Sequence, residues 1–201
     1  MAAPVRLLAA VAIAMLGGAG AGASAAPVEY TLDPVHTSVY FGASHFERGS
    51  VRGRFGKIDG RIVYDADSGA GAVDVTVDLA SVDTGNRTLD GVLRSAQFFD
   101  IAQFPLARLR ADRFISDGGR LVAVEGELSL HGVTRPVRLQ AERFRCGEVT
   151  LFGVARQVCG GDFRTEVPRS AFGMTRFVPD AGDIVTLHVA VEASPASSPA
   201  R

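Results

Sequence analysis

The sequence has no tryptophan, two cysteines and three tyrosines in 201 residues, and its charges nearly cancel to a net −1. Without a basic patch interleaved with aromatics, a nucleic-acid surface has no electrostatic basis. Cys146 and Cys159, the only cysteines, lack further ligands at the spacing a metal site needs. The strongest apolar run, Leu7–Leu16, is shorter than the roughly 20 residues a membrane-spanning helix needs. A G-x-S-x-G nucleophile elbow is also missing. The carboxylates Asp74, Asp78, Glu125 and Glu127 fall on expected solvent faces, not as a facing pair in a cleft.

What is present begins with export. A basic start through Arg6, the apolar run and Ala23-Ser24-Ala25 form a secretory signal peptide over 1–25. Cleavage after Ala25 fits better than after Ala26, which would leave Pro27 directly behind the cut. Such a leader marks the chain for export. In oxidising surroundings the two cysteines are expected to form a disulfide. It would close a short loop around Phe152 and add roughly 2–4 kcal/mol. The stretch from Ala193 to Arg201 is small, polar and proline-containing, and reads as a disordered tail. One domain over 26–192 remains.

Twelve phenylalanines and many valines supply the core. Most fall in period-2 patterns, the mark of half-buried strands. Val39, Phe41, Ala43 and His45 share one face of a strand over 36–46. Val51–Asp65 reads as a long third strand, or two shorter ones kinked near Gly60, with Gly53, Gly56 and Gly60 as candidate points of curvature. Val73, Val75, Val77 and Leu79 alternate with Asp74, Thr76 and Asp78. Arg120–Leu130 places Val122, Val124, Gly126, Leu128 and Leu130 on one face, and Val133–Phe144 turns Val137, Leu139 and Ala141 inward. Phe163–Val167 suggests a further strand. Asp183–Glu192 aligns Val185, Leu187, Val189 and Val191 opposite His188.

The period changes once. Asn86 is a helix N-cap candidate, followed at helical spacing by Leu89, Val92 and Leu93, with an end near Ser95. Phe98, Phe99, Ile101 and Phe104 come next. They either pack as core beneath a connecting segment or wall a cavity. About eight antiparallel strands and one short helix suit a closed barrel, which removes exposed sheet edges; a β-sandwich is the alternative.

Five segments carry a family resemblance: DPVHTSVYFGASHF at 33–46, VRGRFGKIDGRIVYD at 51–65, VDVTVDLASVDTGNRTLDGVLRSAQFFDIAQFP at 73–105, VEGELSLHGVTRPVRLQ at 124–140 and RSAFGM at 169–174. In this order they resemble the YceI-like family of exported lipid-binding proteins. The resemblance implies an all-β fold: a lipocalin-like antiparallel eight-stranded β-barrel with one short helix and an elongated apolar pore. It also implies a polyisoprenoid or similar long-chain amphiphile inside the pore, and a periplasmic location. Gly91 departs from the family, standing in the helix where a bulkier polar residue is common.

The expected pore lining is Phe41, Phe55, Val75, Val77, Val124, Leu128, Leu139 and Leu187, with Phe98 and Phe99 closing one end. His45 would meet a polar head group at the rim or serve as a structural histidine. His36 is expected to hydrogen-bond locally after the Asp33-Pro34 turn. A zinc site would need three of His36, His45, His131 and His188 to converge, which their positions do not favour. Arg135 and Arg169 are weaker candidates for an anionic head group.

The expectation is therefore a binding protein and not an enzyme, with no catalytic residue, no metal and no cofactor beyond a bound lipid. Its partner would be that lipid, without nucleic acid, with transient membrane or membrane-protein contact and a homodimer left open. The alternatives are a lipid-modifying enzyme using His45, and a stress-response interaction module with the barrel as scaffold.

Overall fold

Alternating apolar residues force the chain into strands that need a covered inner face, and the chain meets that need by closing on itself. The structure is a computed structural model that describes residues 27–196. The expected signal peptide and residues 197–201 lie outside the described residues.

Eleven strand segments and one α-helix follow in order: β1 (Val28–Leu32), β2 (Ser38–His45), β3 (Gly49–Phe55), β4 (Ile58–Tyr64), β5 (Gly71–Asp78), β6 (Val82–Asp83), α1 (Arg87–Arg94), β7 (Leu106–Asp117), β8 (Arg120–Leu130), β9 (Val133–Leu151), β10 (Val154–Pro168) and β11 (Ala181–Pro195). Single turns of 3-10 helix cover Leu79–Ser81 and Arg169–Phe172. The pairing order is β1-β4-β5-β7-β8-β9-β10-β11, and β1 returns to β11. That ring is a closed eight-stranded antiparallel barrel. The other segments extend three staves. β2 continues β1 along the same edge of β11, β3 continues β4, and β6 lies on β3 beyond the end of β5.

Each broken stave has a local cause. Between β1 and β2, Asp33 accepts from the Val35 and His36 amides, and the Thr37 hydroxyl donates to the Glu192 carbonyl. Between β3 and β4 the break falls at Gly56 and Lys57, earlier than the kink expected near Gly60. Gly60 answers to a close approach instead, because a Cβ there would lie 2.4 Å from the Asp74 carbonyl oxygen of the next strand. Curvature alone does not account for Gly53 either; Phe41 occupies its side-chain space.

Two boundaries move outward. β11 runs to Pro195, past the expected start of the tail at Ala193. Ala193 is buried and pairs with both Leu32 and Cys159, so it belongs to the wall. The expected disulfide loop is the end of a long hairpin, β9–β10. Cys146 and Cys159 are bonded across directly opposed positions, with Phe152 in the terminal turn.

Ion pairs mark the outer wall. Arg108 donates to Asp74 at 2.7 Å, and Glu125 pairs with Arg113 and Arg138. Asp74 is held below the usual carboxylate range, chiefly by the Arg108 hydrogen bond. Charges at mid-strand are unfavourable against lipid, so this wall faces water. The inner face is apolar. Three buried clusters form, around Phe163 and Phe172, around Tyr30 and Leu32, and around Phe55, Leu79 and Val82. Each large side chain buried there contributes about 1.5–3 kcal/mol.

Candidate functional site

The clusters do not fill the barrel. A cavity of about 700 Å³ runs through it, within the 300–1,000 Å³ range of small-molecule pockets. Its walls follow from strand alternation. β2 supplies Val39 and Phe41, β5 supplies Val73, Val75 and Val77, and β11 supplies Val185, Leu187, Val189 and Val191.

The residues expected to line a pore all border this cavity. Phe41, Phe55, Val75, Val77, Val124, Leu128, Leu139 and Leu187 lie along the wall, and His45, Phe98 and Phe99 lie at one end. Val122, expected beside Val124, is not in the lining. The ladder slips between Ile115 and Ser116, and Leu121 joins the Val124 core in its place. Alternation alone cannot foresee such a bulge, because it shifts every residue beyond it by one position.

The two ends differ. At the far end Tyr64 packs on Phe114 and Phe144 with centroids 5.8 and 5.2 Å apart, and Phe144 packs on Phe163 at 6.2 Å. This aromatic floor desolvates the Tyr64 phenol and pushes its pKa up. Among the described residues, the exposed members of the lining are Ser44, His45, Asn86, Thr88, Val92 and Phe177. They belong to the end of β2, to α1 with its cap, and to the turns before β11, which together form the mouth.

α1 stands at this mouth for identifiable reasons. The Asn86 side chain accepts from the Thr88 and Leu89 amides at 3.0 and 3.2 Å, as its sequence position predicts. Arg94 donates to the carbonyls of Ala80 and Val82, fastening the helix to the wall. Asp90, buried under the helix, accepts from the Thr84 hydroxyl and amide, and these bonds hold its carboxyl below the usual range.

The aromatic run after the helix splits between the two readings it left open. Phe99 packs inward on Phe55 at 5.6 Å, which in turn packs on Phe41 at 5.4 Å. Phe98 faces the mouth, 6.5 Å from Phe177 and beneath the Arg169 guanidinium at 5.6 Å. Arg169 is buried, and its three nitrogens donate to the carbonyls of Gly182, Met174 and Ala181. Burial lowers its pKa. It fixes the turns of the mouth, a role that its place in sequence does not reveal.

The histidines have separate surroundings. His36 Nδ1 lies 2.8 Å from the Asp33 carboxylate, the expected local bond, and that contact raises its pKa. His45 packs edge-on against Phe46 at 4.5 Å. His131 Nδ1 lies 3.0 Å from the Phe172 carbonyl, and His188 is exposed on the outer face. A grouping that the sequence did not suggest brings ligand-type atoms of Asp33, His36 and Glu192 within 4.8 Å of one another. The turn between β1 and β2, held against β11, accounts for it. Arg135 donates to the Ala171 carbonyl.

A closed antiparallel barrel with an apolar interior, an aromatic floor and one helix beside an open mouth defines a lipocalin-like barrel. The chain belongs to the YceI-like family, whose YceI-like domain matches residues 30–193. It is 32% identical over 142 residues to a UPF0312 protein of Vibrio cholerae serotype O1, covering 69% of this chain and 75% of that one. A UPF0312 protein of Shewanella denitrificans is also 32% identical, over 82% of this chain and 86% of its own. Among solved structures, Burkholderia cenocepacia BcnA superposes with TM-score 0.65 at 21% identity, covering 81% of this chain and 99% of that one. A polyisoprenoid binding domain from Saccharophagus degradans gives 0.60 at 19% identity, over 84% and 99%. At these identities the structures show the shared fold.

Proposed function

We propose that this protein holds a polyisoprenoid or similar long-chain amphiphile, a quinone-type tail included, as a carrier or reservoir in the periplasm. The observation that carries this reading is the continuous apolar cavity, floored by aromatics and open at one end. Each methylene moved from water into such a site gains about 0.8 kcal/mol. A long hydrocarbon chain therefore binds without many polar contacts, and selectivity among chains is loose. The tail lies along Phe41, Val75, Val77, Leu128, Leu139 and Leu187, and the head group stays at the mouth beside His45. The polyisoprenoid binding domain of Saccharophagus degradans, built on the same fold, supports the ligand class. The role is binding and not catalysis.

Native mass spectrometry of protein purified from its own host tests this. A lipid adduct is expected, and Leu128→Trp is expected to reduce it while circular dichroism shows an unchanged barrel. Protein that leaves its host free of lipid, and takes up neither polyprenols nor long-chain fatty acids, would refute the proposal.

A further inference from the structure

The mouth carries apolar side chains where a water-facing rim has no use for them. Phe46 is 52% exposed, Phe177 52% and Val178 38%. The backbone makes this more pointed. Phe46 and Phe177 have φ of +51° and +59°, the left-handed region that disfavours bulky side chains. Glycine or asparagine would suit both positions and would remove an exposed ring. Phe152, in the β9–β10 turn, shares this backbone and is more exposed still, so strain and exposure alone do not single out the mouth; the mouth's continuity with the cavity does.

The two turns form one surface. The Phe46 amide donates to the Asp180 carbonyl at 2.7 Å. Phe177 and Val92 are at once exposed and part of the cavity lining, so an apolar path leads from this surface into the barrel. The charge around it leans positive. Arg48, Arg176 and Arg87, the last between the lining residues Asn86 and Thr88, stand against Glu47 and Asp180, and none of the three arginines forms an ion pair among the described residues. Arg176 lies over the Phe177 ring at 4.5 Å, a pairing suited to the boundary between head groups and acyl chains.

Resting on the lipid-binding reading of the cavity, we propose that the mouth docks on an anionic phospholipid surface, with Phe46, Phe177 and Val178 entering the lipid and the arginines meeting its phosphates. Apolar burial plus attraction to anionic lipid is the usual basis of such contact. Docked this way, the cavity opens directly onto the acyl layer, and a hydrophobic ligand passes between membrane and barrel without crossing water. Phe152, fully exposed in the hairpin turn at the opposite end, serves as a built-in comparison.

Vesicle co-sedimentation of the intact protein tests the proposal. The vesicles are phosphatidylcholine alone, or equal parts phosphatidylcholine and phosphatidylglycerol. Binding is expected to the mixed vesicles, to be weaker on phosphatidylcholine and to be reversed by salt. Phe46→Gly/Val178→Ser and Arg48→Glu/Arg176→Glu are each expected to lower partitioning about tenfold or more. Phe152→Ser is expected to bind like the unaltered protein. Glycine suits the backbone at position 46, so the melting temperature of the first variant reports its folding separately. Uptake of a dansyl-labelled long-chain fatty acid from solution is measured in parallel and is expected to persist in both double variants. No vesicle binding by the unaltered protein, full binding by both double variants, or loss confined to Phe152→Ser would overturn the docking proposal. Vesicle binding without fatty-acid uptake would refute the cavity reading alone.

Discussion

The Phe41 ring occupies the space where Gly53, its direct partner across β2 and β3, would carry a side chain. A Cβ at Gly53 would lie 2.5 Å from Phe41 Cζ and 2.9 Å from Thr84 Cγ2. The glycine lets a phenyl ring lie flat against the inner wall, where it meets Phe55 and borders the cavity.

Gly53→Ala is expected to push that ring into the cavity or off its rotamer, costing about 1–3 kcal/mol as an overpacked core does. Thermal unfolding checks the cost. Because the closest clash is with the Phe41 ring, Phe41→Ala should offset part of it, while the Thr84 contact remains. The double variant should lose less than the sum of the single changes, by a margin that a double-mutant cycle reads.

Gly91 lies in the middle of α1 on an exposed face, with nothing near the position a Cβ would take. Gly91→Ala is therefore expected to stabilise the protein by about 1 kcal/mol through helix propensity. For a domain of this size that raises the melting temperature by about 2–4 °C, which calorimetry resolves.

Asp90 sets an expectation for acid. Its folded pKa is depressed by the donors of Thr84, so its stabilising effect is complete above the unfolded value of about 3.9. The effect is lost as pH falls through the folded value. Asp90→Asn should be less stable than the unaltered protein at neutral pH, and the gap should shrink as pH drops below about 4. Urea unfolding across that range checks the convergence. A gap that widened in acid would contradict the assignment.

Much of the wall was legible because alternation is local. Val73, Val75 and Val77 point inward in β5 since a strand places every second side chain on one face. Asn86 announced the start of α1 for a similar reason: its partners lie within the next turn. The opposite facing of Phe98 and Phe99 was not legible. Adjacent residues there are separated by contacts to Phe177 and Phe55, far away in the chain.

By itself, then, the sequence determined which residues can share an inner face, where the one helix begins, and that the ends of the chain read differently from its middle. Tertiary structure decided the rest. It set the closure of β1 on β11, the bulge that exchanges Val122 for Leu121, the clamp of Arg169 on three carbonyls and the gathering of Phe46, Phe177 and Val178 at one mouth. Strand periodicity is a property of a few neighbouring residues, whereas pairing, register and the space left beside Gly53 depend on residues that meet only when the barrel closes.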